Sequence, residues 1–188
     1  MKRALLVIDV QMEYFTGKLP VTHPDGSLQN ILRAMDAAER SSVPIILVRH
    51  NSPQPDAATF RKGSEEWQLH PEIMKRKHAR LIDKTLPGSF SKTDLEVWLT
   101  NHAIDTLAIT GYMTQICCDT SAREAMHRGF NVEFLSDATG TLAIENYAGK
   151  VSAEELHRAI LVTQAMRFGK VMTTDAWIYG LAENVRGG

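Results

Sequence analysis

Five consecutive apolar residues, Ala4-Leu5-Leu6-Val7-Ile8, constrain the fold of this chain more than any other feature. A strand with one wet face alternates apolar and polar residues, so an unbroken run reads as a strand covered on both sides, the pattern of parallel sheets in α/β proteins. Extended segments follow near 43–49, 80–84, 105–110, 131–136 and 169–173, and helical patterns lie between them near 27–41, 64–75, 92–101, 117–128 and 152–166. Leu28, Ile31, Leu32 and Met35 share one helix face, and Ser152 with Glu155 fits a capping box. The alternation predicts a three-layer α/β/α sandwich around a Rossmann-like, mostly parallel six-stranded sheet with right-handed crossovers. A chain of 188 residues can bury a sizeable core, and a single domain over 1–188 is expected.

The first run ends on Asp9, an acid at the carboxyl end of a central strand, where open α/β sheets bind ligands. Leu107 to Thr110 reads as a second buried strand; Gly111 to Ile116 breaks it, and Cys117 opens a helix. Unpaired N–H groups and the helix dipole favour a thiolate at such a position. Asp9 and Cys117 are therefore expected to face one crevice. A third segment, Ala79 to Thr85, reads as extended and carries Lys84 just before the turn residues Pro87-Gly88-Ser89. Taken singly, the cysteine reads as a small core residue, the acid as a cap and the lysine as a surface charge.

Together, in this order, they resemble the isochorismatase-like cysteine hydrolase superfamily, which includes nicotinamidases and N-carbamoylsarcosine amidohydrolase. Leu6-Val7-Ile8-Asp9-Val10-Gln11 with Phe15 is similar to the family's first-strand Asp-x-Gln motif and its downstream phenylalanine. Lys84-Thr85-Leu86-Pro87-Gly88-Ser89-Phe90-Ser91 is similar to the lysine segment. Gly111-Tyr112-Met113-Thr114-Gln115-Ile116-Cys117-Cys118-Asp119-Thr120-Ser121-Ala122 resembles the Gly-x-x-Thr-x-x-Cys-Val-x-x-Thr-Ala signature, a spacing that selects Cys117 over Cys118. Downstream, Gly129-Phe130-Asn131-Val132 and Ser136-Asp137-Ala138 look like the family's next strand. The resemblance implies Asp9, Lys84 and Cys117 as catalytic residues. It also implies an oxyanion hole from the backbone N–H groups of Met113 and Cys117, and a cis peptide bond between Tyr112 and Met113.

The chemistry of the three side chains fits that reading. A cysteine with an ordinary pKa near ~8.5 is mostly protonated at neutral pH and needs a base or a cation. Asp9 is expected to accept its proton, and a nearby Lys84 to favour thiolate and carboxylate alike, so that the three titrate together. Attack of Cys117 on a carbonyl would give an acyl or carbamoyl thioester, hydrolysed by a water that Asp9 activates.

Residues 51–71, punctuated by Pro53, Pro55, Gly63 and Pro71, are expected to form a loop with a short helix beside the site and to carry specificity. Phe60, Trp67 and Tyr112 are candidate pocket walls, with Gln11 and Phe15 from the first motif as further substrate contacts. His50, Arg49 or Arg61 are candidates for a polar or anionic part of the substrate. Nicotinamidases carry an Asp-x-His metal pair in this region, and Arg49-His50-Asn51 does not supply it; a metal-independent, cofactor-free enzyme other than a nicotinamidase is expected. Classical isochorismatases cleave a vinyl ether without a cysteine nucleophile, so Cys117 disfavours that reaction as well. Hydrolysis of a C–N bond in a small amide, imide or ureido compound is the expected reaction. Alternatives are an ester or thioester hydrolase with the same triad, or an idle member that binds a small metabolite.

The formal net charge is −1 and the basic residues are scattered apart from Lys75-Arg76-Lys77, so no nucleic-acid partner is expected. No apolar stretch reaches the ~20 residues of a membrane span and no signal-peptide pattern is visible, which predicts a cytoplasmic protein without a membrane partner. The two cysteines are adjacent, which argues against a disulfide framework and, without a separate resolving cysteine, against a redox sensor. Met and Trp residues near 166–177 and the family's habits predict a homodimer, or next a homotetramer.

Overall fold

Strand β1 (Arg3–Ile8) lies inside a six-stranded sheet, as its uninterrupted apolar run demands. The computed structural model describes residues 1–186; the last two residues of the expected 1–188 domain lie outside them. After β1 the chain forms α1 (Ser27–Arg40), β2 (Ile45–His50), α2 (Pro71–Met74), β3 (Arg80–Lys84), α3 (Leu95–Asn101) and β4 (Thr106–Tyr112). A π-helical turn, Thr114–Cys118, leads into α4 (Asp119–His127), followed by β5 (Asn131–Gly140) and the short hairpin β6 (Ile144–Asn146) and β7 (Gly149–Val151). The chain continues through α5 (Ala153–Thr163), a second π turn (Gln164–Phe168), β8 (Lys170–Met172) and α6 (Thr174–Arg186).

The sheet order is β3-β2-β1-β4-β5-β8, and every neighbouring pair is parallel. Alternate residues of β1 serve opposite faces. Leu5 and Val7 pack with Ile31, Ala34 and Met35 of α1 and with Trp177 and Leu181 of α6. Ala4, Leu6 and Ile8 pack with Leu95 and Leu99 of α3 and with Ala122 and Ala125 of α4. Helices on both faces complete the three layers, and the strand order reverses between β1 and β4, the place where such sheets leave a crevice. No helix among the described residues is long and apolar enough to cross a membrane.

Several boundaries differ from the sequence reading. The helix expected over 64–75 shrinks to the single turn α2, because Pro71 lacks an N–H and holds His70 extended (φ −55°, ψ 134°), so a helix can start there but cannot run through it. The helix expected from 92 begins at Leu95. The strand ending at Thr110 continues through Gly111 to Tyr112, and the expected helix from 117 is preceded by a π turn that already contains Cys117. The strand expected over 131–136 runs on to Gly140: pairing passes from Ile109–Phe134 to Gly111–Thr139, so β5 advances five residues while β4 advances two. Within that bulge Asp137 Oδ1 accepts from the backbone N and Oγ1 of Thr174, both at 2.7 Å, and so caps α6, a helix absent from the sequence reading.

Candidate active site

The sheet delivers its chemistry at the carboxyl ends of four strands. Asp9 leaves β1 in the left-handed region (φ 51°), its N–H donating to the Val48 carbonyl at 2.9 Å. Asp and Asn tolerate this conformation better than most residues. His50 and Lys84 are the last residues of β2 and β3 and stand opposite each other in register. Cys117 sits on the π turn after β4. That turn is tied down by Thr114, whose Oγ1 lies 2.9 Å from His157 Nδ1, while His157 Nε2 donates to the Ser136 carbonyl at 2.9 Å.

Lys84 is the hub. Its Nζ lies 2.6 Å from Asp9 Oδ2, 3.4 Å from Cys117 Sγ and 3.5 Å from His50 Nδ1. Asp9, Lys84 and Cys117 are 0%, 2% and 6% exposed. Burial pulls the Lys84 pKa down, but the negative charges of Asp9 and Cys117 outweigh it and hold the ammonium above the ordinary lysine value. Burial pushes the Cys117 thiol well up, Asp9 pushes it further, and Lys84 opposes both. Against the expectation of a dipole-stabilised thiolate, burial is the largest influence on this thiol and raises its pKa. Both Asp9 carboxylate oxygens are buried and accept no hydrogen bond among the described residues, Oδ2 being held by its ion pair with Lys84.

A chain of ring contacts starts at His50, the neighbour of Lys84. Tyr14 lies 5.3 Å from Phe60 and 5.5 Å from Tyr112, Phe15 lies 5.9 Å from Tyr112, and His50 meets Phe60 edge-on at 5.2 Å. The Tyr112 hydroxyl is held by Ser27 Oγ at 3.0 Å, and burial pushes its pKa up to about 12. The peptide bond between Tyr112 and Met113 is cis; Met113 immediately precedes the π turn and Cys117 lies within it. Phe60 also walls a cavity of about 510 Å³ lined by Glu13, Lys18, Arg61 and Glu66; Asp9, Lys84 and Cys117 do not line it.

Two candidate substrate contacts are engaged by the protein itself. Gln11 is 0% exposed and spends its amide on backbone: Oε1 accepts from His50 N at 2.9 Å, and Nε2 donates to the carbonyls of His50 at 3.0 Å and Trp67 at 2.8 Å. It is a clamp between chain segments, not a group presented to a ligand. The Trp67 indole packs under the Arg49 guanidinium, 3.7 Å from its ring centroid, and bonds Asn51. Arg49 in turn pairs with Asp83 at 2.7 Å. Among the described residues no group of three or more His, Cys, Asp or Glu side chains is arranged to hold a metal ion, and His70 Nδ1 accepts from the Glu72 N–H. Tyr14 and His157 were not legible as site residues: one is a ring among core rings, the other reaches Thr114 from a helix 43 positions away.

An isochorismatase domain model matches residues 3–176. The chain belongs to the isochorismatase family. Within it, a solved structure from Burkholderia xenovorans LB400 described as an isochorismatase superposes with a TM-score of 0.94 at 46% identity, covering 96% of this chain and 88% of that one. A cysteine hydrolase from Pseudomonas syringae pv. phaseolicola 1448A gives 0.90 at 27% identity, covering 97% and 93%. Nicotinamidase 3 of Arabidopsis thaliana is 30% identical over 184 residues, 92% of this chain and 85% of that protein. This isochorismatase-family chain is accordingly a hydrolase.

Proposed function

We propose that the protein hydrolyses a C–N bond of a small amide, imide or ureido compound through a thioester on Cys117, with Asp9 and Lys84 completing the triad. The observation that carries this reading is Lys84 Nζ within 2.6 Å of Asp9 and 3.4 Å of Cys117, with all three side chains buried. Asp9 takes the thiol proton as sulfur attacks the carbonyl carbon, then gives it to the leaving nitrogen as the C–N bond breaks. Water attacks the thioester with Asp9 as base, and the thiol reforms. The negative charge moves between a carboxylate and a sulfur that touch the same ammonium. At an effective dielectric near ~20, the pairing energies at 2.6 and 3.4 Å differ by only about 1.5 kcal/mol, so proton transfer leaves Lys84 paired in both states. The backbone N–H groups of Met113 and Cys117 are the candidate donors to the tetrahedral oxyanion.

The deciding experiment is intact-mass spectrometry of wild type and Cys117→Ala after brief exposure to small amides, ureido acids and esters, with ammonia release followed in parallel. The expected result is an acyl or carbamoyl adduct on Cys117 and turnover abolished in Cys117→Ala. Turnover surviving in Cys117→Ala overturns the assignment, and adducts from esters alone transfer it to ester hydrolysis.

A further inference from the structure

An ammonium has three protons to give. Around Lys84 Nζ stand three acceptors, and only two belong to the triad: Asp9 Oδ2 at 2.6 Å, Cys117 Sγ at 3.4 Å and His50 Nδ1 at 3.5 Å. We propose that His50 is the positioning residue for Lys84, its Nδ1 taking the third ammonium proton and so directing the other two at Asp9 and Cys117. The inference rests on the Asp9–Lys84–Cys117 reading and adds a fourth member to it.

The surroundings of His50 fit the role. Its backbone N and O are both fastened to the Gln11 amide, at 2.9 and 3.0 Å, which fixes where the ring begins. Phe60 meets the ring edge-on with an interplanar angle of 87°, which fixes its plane. Burial, and next the Lys84 charge, lower the His50 pKa while Asp9 opposes them, so the imidazole is neutral at pH 7 and keeps a lone pair. Since a charged Lys84 can only donate, that lone pair is on Nδ1 and the ring proton is on Nε2. Without the acceptor, a buried ammonium would hold one proton unbonded. Its charge would be disfavoured, and with it the thiolate that it supports.

Two measurements test this. In wild type, long-range ¹H–¹⁵N NMR at pH 7.5 is expected to show His50 with Nε2 protonated and Nδ1 bare; a proton on Nδ1 overturns the proposal without any variant. The second is the pH profile of Cys117 alkylation by iodoacetamide, read by peptide mass in folded samples, which needs no knowledge of the substrate. His50→Phe keeps a ring beside Phe60 but removes the acceptor, and is expected to move the profile up by about one pH unit, tenfold in rate at fixed pH. His50→Gln, whose Oε1 accepts, restores it to within about threefold. A wild-type profile in His50→Phe, or equal loss in His50→Phe and His50→Gln, overturns the positioning role. Lys84→Met distinguishes failure of the triad reading itself: if that variant leaves the profile unmoved, the lysine does not support the thiolate at all.

Discussion

Ile8 and Gly111 pair across β1 and β4 so closely that a Cβ on Gly111 would stand 2.0 Å from the Ile8 carbonyl oxygen. Gly111 also has φ +114°, a conformation that L side chains rarely adopt. Gly111→Ala is therefore expected to destabilise the fold by more than the ~1 kcal/mol typical of a point substitution. The damage falls beside Asp9, the residue after Ile8, so Cys117 reactivity should fall in whatever fraction remains folded. Denaturant melts and iodoacetamide labelling check this, and a wild-type midpoint would refute the close contact.

Lys84 and Asp9 form a buried ion pair, and removing one partner of such a pair typically costs about 3–5 kcal/mol because the other charge is left alone. Lys84→Met is expected to lower stability on that scale. Asp9→Asn combined with Lys84→Met should recover much of it while remaining inactive, since Asn accepts the left-handed backbone at position 9 but cannot take a proton. A double variant as unstable as Lys84→Met would show that packing, not the stranded charge, sets the cost.

His157 predicts an acid limit to stability. Burial lowers its pKa below 6.5, with the Ser136 hydrogen bond opposing and His23, 5.2 Å away ring to ring, reinforcing the shift. The folded imidazole stays neutral where the unfolded one binds a proton, so stability is lost as pH falls below about 6.5, by up to ~1.4 kcal/mol per pH unit for this group. Urea melts between pH 7.5 and 5 should show the decline in wild type and a shallower one in His157→Gln. Parallel slopes would refute the assignment.

What could be read from the sequence follows from how local each signal is. Ala4 to Ile8 announces a two-faced strand because every residue in it is apolar, and Asp9, Lys84 and Cys117 stand out because each sits at the end of such a segment or just after one. The missing features depend on distant partners. Helix α6 takes its cap from Asp137, 37 positions earlier, and β5 hides its second half behind a bulge. Gln11 belongs to the motif, but whether its amide faces a ligand or the backbone depends on residues 39 and 56 positions away. The direction of the Cys117 shift was equally out of reach, since helix position is local and desolvation is not.

The Gln11 clamp acts on residues 51–66 as a cross-link would. One side chain fastens both ends of the segment, at His50 and at Trp67, so the intervening chain has the conformational freedom of a closed ring and not of an open arm. Phe60, carried in the middle of that ring, meets Tyr14 and His50, so its place beside His50 is set by three hydrogen bonds where another fold would use a covalent bond.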